Sequence, residues 1–225
     1  MMETLNSIGI SSGMLTSTVI TIILCAISIF AGKRLQTVPS RLQNAIEMGI
    51  EKLYNFFEDI MGAHACKRYF PLVATIFIYI IVANYSGLLP GAGHINGVAA
   101  PTSSINCTAA MAVVVFFATH IIGIREHNGL SYFKHFLKPF AFLMPLMVIE
   151  EFVRPVSLTL RLYGNVFGEE TVTSSFFELV PIGLPVVMQA ISVLMGLVQA
   201  LVFSLLAGIY IMEALPEHEE EGEHL

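Results

Sequence analysis

"GMLTSTVITIILCAISIFAG", Gly13 to Gly32, carries no charged side chain. A helix of that length crosses the roughly 30 Å hydrocarbon core of a bilayer. A secretory leader would place positive charge before the run and a small-residue cleavage site after it. Here Glu3 lies before it, and Lys33 and Arg34 follow. The run therefore predicts a retained span at 13–32 with its N-terminus outside. The rest of the chain agrees. Charged residues make up 12% of the 225, against about 25% in ordinary globular domains, and mean hydropathy is +0.74. Too few charges remain to coat a water-facing surface. The composition predicts one all-α membrane domain.

Beyond the first span, "VPSRLQNAIEMGIEKLYNFFEDIMG" repeats Ile46, Ile50, Leu53, Phe57 and Ile60 at helical spacing, with charges mostly between them. Ser40 and Gln43 make a capping box behind Pro39. An amphipathic helix is predicted at 38–64, either on the membrane surface or against a partner. Spans at 71–89 and 105–124 form a hairpin around a Gly-, Ser- and Pro-rich loop without Lys or Arg. Two longer apolar stretches follow, 139–180 and 182–213, separated by Pro181. A straight helix through the first would be on the order of 60 Å, about twice the hydrocarbon thickness. It must be broken, project or tilt steeply, and Pro145 and Pro155 are places to kink it.

Basic residues set the topology. Lys33, Arg34, Arg41, Lys52, Lys67 and Arg68 fall between spans one and two, and Arg125, Lys134 and Lys138 between spans three and four. The positive-inside rule then gives five crossings, the N-terminus outside and an acidic tail, 214–225, in the cytoplasm. Cys25, Cys66 and Cys107 read as small apolar fillers, and the "NCT" sequon at Asn106 opens an apolar run, where a glycan is out of place. No Walker loop, metalloprotease helix or nucleophile elbow is present, no basic run suits nucleic acid, and nothing calls for a cofactor or metal.

The chemistry concentrates in one oily stretch, which holds Glu150, Glu151, Arg154, Arg161, Glu169, Glu170 and Glu178. A charge at the bilayer centre costs about 2.5–3.5 kcal/mol on insertion scales. A carboxylate escapes by taking a proton; a guanidinium does not. Glu150 and Glu151 precede Arg154 by four and three positions and can pair with it. No acid stands three or four residues from Arg161, although Asn165 shares its face. Glu170, nine positions on, lies near the opposite face and some 13 Å along the axis. A fixed cation on one face and a titratable acid on another suit a proton path with a barrier. The alternatives are an interior ion pair between Arg161 and a distant acid such as Glu213, an ion-coupled carrier with Arg161 as anion site, and a passive assembly anchor.

These residues resemble subunit a of the F-type ATP synthase over nearly the whole chain. "PVSLTLRLYGN" at Pro155–Asn165 is similar to the family's segment around its essential arginine, which falls on Arg161. The family's acid nine residues later falls on Glu170. "LVQALVFSLLAGIYIMEA" at Leu197–Ala214 resembles its last helix, with Gln199 and Tyr210 at the polar positions. "IFIYIIVANYSGLLPG" puts Asn84 at the family's asparagine. Where some members carry a histidine in the last helix the chain has Ser192, and where many carry an acid three residues after the asparagine it has Gly87. Glu169 is an additional acid beside Glu170.

The resemblance implies a stator subunit without a nucleotide site. Arg161 would face carboxylates of a rotating c-ring of subunit c. Two half-channels would be lined from Glu170, Glu169, Asn165 and Gln199, with Asn84, Tyr210, Glu213 and Ser192 as further channel residues. It also implies tilted last helices, peripheral-stalk subunit b and the rest of the F1Fo complex as partners, and a bacterial inner membrane as the location.

Overall fold

The structure, a computed structural model, describes residues 12–33, 40–88, 100–127, 144–179 and 183–216. The acidic tail beyond 216, the basic segment 128–143, Arg34, Pro39 and Pro181 lie outside them. All regular structure among the described residues is helical. It comprises α1 (Ser12–Lys33), α2 (Arg41–Met61), α3 (Ala63–Ser86), a 3-10 turn (Pro101–Ser103), α4 (Ile105–Glu126), α5 (Met144–Leu179) and α6 (Leu184–Glu213). Among the described residues four helices are long and apolar enough to cross a membrane: Gly13–Lys33, Ala63–Ser86, Ile105–Glu126 and Val186–Glu213. The chain is an all-α integral membrane protein. The stretch expected as the remaining crossing, α5, falls short on apolarity alone, because its acids and arginines interrupt it.

In α1 the hydroxyls fold back onto the helix, Thr18 to the Met14 carbonyl and Thr21 to that of Ser17. Its outer face, with Ile22, Ile27 and Phe30, stays exposed, as a lipid-facing helix requires. Ser40 caps α2 as its sequence predicts, accepting from the Gln43 N–H at 3.3 Å. The second half of α2 packs: Phe57 and Met61 are buried with Cys66, Val73 and Ile211. Its first half leaves Ile46, Met48 and Ile50 exposed.

Gly62, at φ +78°, makes the corner into α3. α3 begins eight residues before the expected position 71, because Lys67 and Arg68 ride on the same helix as it leaves the apolar layer. α5 runs 36 residues, roughly 54 Å, and stays helical through Pro155 instead of breaking there. α6 runs 30 residues from Gly183, whose φ of +94° favours glycine.

α3 and α5 pack on either side of α6, and α4 packs on α5. Small side chains at the contacts let the backbones approach. A Cβ on Gly196 would stand 3.4 Å from Asn84 Cβ and from Tyr85 Cε1. The main core joins Ile80, Ala112, Val115, Leu158, Leu162, Ala200, Phe203 and Ala207. It lies across the middle of the bundle. The hydroxyls buried near it, Thr119, Thr159 and Ser204, bond to carbonyls of their own helices. This middle layer is apolar apart from those bonded hydroxyls.

Candidate functional site

Polar side chains gather at the two ends of the bundle, on either side of that layer. At one end α5 brings Glu169 beside Ser192 of α6, and Glu170 beside Ser103 of the 3-10 turn. Helical geometry sends these neighbouring acids in different directions, about 100° apart. The two glutamates are thus held against two different elements. Ser103 was not legible in the sequence: it sits in a Ser-rich loop with no spacing to single it out.

Gly87 marks the place where the resemblance led one to look for an acid. A Cβ there would lie 3.6 Å from Glu170 Oε1 and only 2.7 Å from Ala100 Cβ. The space beside α3 is already taken by the Glu170 carboxyl and by Ala100. The structure thus supplies a carboxylate at this spot from α5 instead of α3. Gly87→Asp is expected to cost about 1–3 kcal/mol through overpacking and to lower the amount of assembled complex on immunoblots of membranes. Adding Ala100→Gly should restore it.

At the level of Asn165 the three helices are cross-linked by amides. Asn165 Nδ2 donates to Gln199 Oε1 at 2.6 Å, and Asn84 Nδ2 donates to the Gly196 carbonyl at 3.0 Å. Asn84 Oδ1 and Gln199 Nε2 are both buried with no protein partner. Buried polar atoms of this kind are normally satisfied, by protein or by water. An orphan acceptor on α3 and an orphan donor on α6, with Gly196 one turn from Gln199, are what a chain of water molecules would bridge.

The other end holds the second polar group. Arg154 meets Glu213 at 2.9 Å, Glu150 at 3.3 Å and Glu151 at 3.4 Å, and its guanidinium lies over the Tyr210 ring at 4.9 Å from the centroid. The helix-entry pairing expected for Glu150, Glu151 and Arg154 is present. Glu213, weighed as a counter-ion for Arg161, is engaged with Arg154 instead. His120 of α4 lies 3.7 Å from Glu151. It escaped the sequence reading, although an ionisable residue inside an apolar span is a reason to look twice. Nearby, Glu126 binds Arg68 at 2.6 Å and accepts from Tyr69 at 2.9 Å.

Arg161 stands between the two ends. It is seven residues from Arg154 and eight from Glu169, roughly 10 and 12 Å along α5. Its neighbour Leu162 is fully buried, whereas Arg161 points outward beside exposed Leu160. It makes no salt bridge among the described residues, while Arg154, on the same helix, makes three. One and two turns beyond it, Gly164 and Gly168 leave open space where a Cβ would stand. Among the described residues no group of His, Cys, Asp and Glu is placed to hold a metal ion.

The family model for the ATP synthase A chain matches residues 14–212. ATP synthase subunit a of Trichlorobacter lovleyi is 45% identical over 200 residues, covering 87% of this chain and 84% of its own length. That of Geotalea daltonii is 44% identical over 221 residues, with 95% and 93% covered. That of Geobacter sp. strain M21 is 48% identical over 199 residues, with 87% and 83% covered.

Proposed function

Because this chain belongs to the ATP synthase A chain family, whose members are the proton-channel subunit of the Fo sector, we propose that its two polar ends are the two half-channels and that Arg161 separates them. The apolar packing between α5 and α6 carries this reading. Leu158, Leu162, Phe203 and Ala207 fill the interior between the ends. A proton crossing at that level would therefore do so on another subunit instead of between α5 and α6. Arg161 faces outward at the same level, where a moving carboxylate of another subunit would meet it.

In this mechanism Glu169, Glu170, Ser192 and the amides of Asn84, Asn165 and Gln199 carry a proton from the outer water to a c-ring carboxylate. Arg161 holds that carboxylate while it is unprotonated and bars direct passage. Tyr210 and Glu213 belong to the inner side. The N-terminus lies outside and the C-terminus in the cytoplasm of a bacterium, as the basic residues dictate. The exposed apolar faces of α1 and α2 are left for lipid and for peripheral-stalk subunit b. The carrier reading finds no support, since the relatives are ATP synthase subunits.

Gly164 and Gly168 make a direct test. Gly164→Cys is expected to form a disulfide with a cysteine placed on the ring-facing helix of subunit c, within assembled complexes under mild oxidation. Cross-links only to subunit b, with none to c, would refute the rotor-facing assignment.

A further inference from the structure

The cluster around His120 has no part in either the entry path or the Arg161 barrier. It is built from three helices: His120 of α4, Glu150, Glu151 and Arg154 of α5, and Tyr210 and Glu213 of α6. On α3, Arg68 belongs to Glu126, further along α4. Three carboxylates surround one guanidinium, so the cluster carries excess negative charge unless protons join it. Imidazole is the one side chain there whose ordinary titration range spans neutral pH.

The geometry also leaves room for water. His120 Nε2 and Glu151 Oε2 are 3.7 Å apart, too far for a good direct hydrogen bond. A cavity of about 10 Å³ opens among Thr119, His120, Glu151, Arg154 and Tyr210. That is about the least space that holds one water, and the lining offers the several polar partners a buried water needs. A water there joins imidazole to carboxylate.

We propose that His120 and Glu151, held by Arg154 and Glu213, form a proton-exchange station at the mouth of the inner half-channel. This rests on the functional reading above and adds a residue to it. In the pumping direction the imidazole takes a proton from inner water, becoming imidazolium beside the Glu151 carboxylate. It then passes that proton inward along the path past Tyr210 and returns to neutral imidazole. In the synthesis direction the same transfers run in reverse. No bond other than those to the proton is made or broken.

The test uses inverted vesicles carrying the complex without its catalytic head, so that the medium bathes the cytoplasmic face. A potassium diffusion potential drives protons from medium to lumen, and flux per assembled complex is followed against medium pH. Uptake needs the protonated station, so flux falls as medium pH rises. Carboxylates titrate below imidazole, so His120→Leu should move the midpoint of that fall down by about one pH unit. Glu151→Gln removes the carboxylate that would share the exchanged proton and should lower flux per assembled complex about tenfold. The dependence on lumen pH should not change in either.

Should His120→Leu fail to assemble, His120→Gln keeps a polar side chain of similar size and is read instead. A purely structural role would lower the amount of complex and leave the midpoint per complex in place; that result overturns the proposal. Arg161→Ala, measured in vesicles that keep the catalytic head, separates the two levels: ATP-driven pumping surviving in that variant refutes the general reading, whereas an unmoved midpoint in the His120 variants refutes the station alone.

Discussion

Arg161→Ala is expected to abolish ATP-driven proton pumping in inverted vesicles, to below about 1% of the parent rate, while the complex still assembles. Assembly should survive because Arg161 makes no salt bridge within the chain among the described residues and lies on an exposed face, so its removal orphans no internal partner. Pumping should not survive, because an unprotonated rotor carboxylate entering the apolar interface would lose the counter-charge that makes its passage affordable. Lysine should restore little. It can lose its proton in a desolvated site and lacks the planar fork that engages a carboxylate through two N–H groups. Fluorescence quenching of a pH-sensitive dye reads the pumping, and immunoblots normalise it. Coupled pumping in the alanine variant would leave the passive-anchor alternative as the better account.

Glu170→Gln is the second large effect. Its carboxyl lies beside Ser103 and next to Gly87, at the end of the bundle assigned to the outside. Glutamine has nearly the same shape, and the Ser103 hydroxyl is already bonded to the Ala100 carbonyl, so packing against the 3-10 turn persists. It cannot take up or release a proton. Proton flux per assembled complex is expected to fall about tenfold or more, with the remainder carried by Glu169 on its own contact with Ser192. Glu169→Gln combined with Glu170→Gln should remove that remainder. Unchanged flux in the double variant would take both acids off the path.

Much of this was readable before any coordinates. The 13–32 run, the Ser40 cap and the Glu150–Glu151–Arg154 pairing follow from local rules: length, capping spacing and the i, i+3 and i, i+4 neighbours of a helix. Arg161 stood out by the same rule applied in the negative, since no acid lies within a turn of it. What could not be read were contacts between elements far apart in the chain. Nothing local says that Ser103 would reach Glu170, that Glu213 would choose Arg154 over Arg161, or that His120 would meet Glu151. Each depends on how α4, α5 and α6 pack, and a helical period gives the face of a residue without its neighbour. The helix α3 starts ahead of the apolar span read from the sequence for a related reason. Apolarity marks where a chain lies in the bilayer, whereas a helix continues for as long as its backbone bonds can be made.

The apolar layer has an electrical consequence in the proposed mechanism. Conducting water in the two proposed half-channels would bring each bulk potential inward, to Glu169 on one side and Arg154 on the other. These lie fifteen residues apart on α5, roughly 22 Å, against a hydrocarbon thickness of about 30 Å. The membrane voltage would then drop over the shorter distance, as in a capacitor with its plates pushed together, and the gradient at the level of Arg161 would steepen accordingly. On that mechanism the protein is a lens for the field, concentrating it where charges change hands.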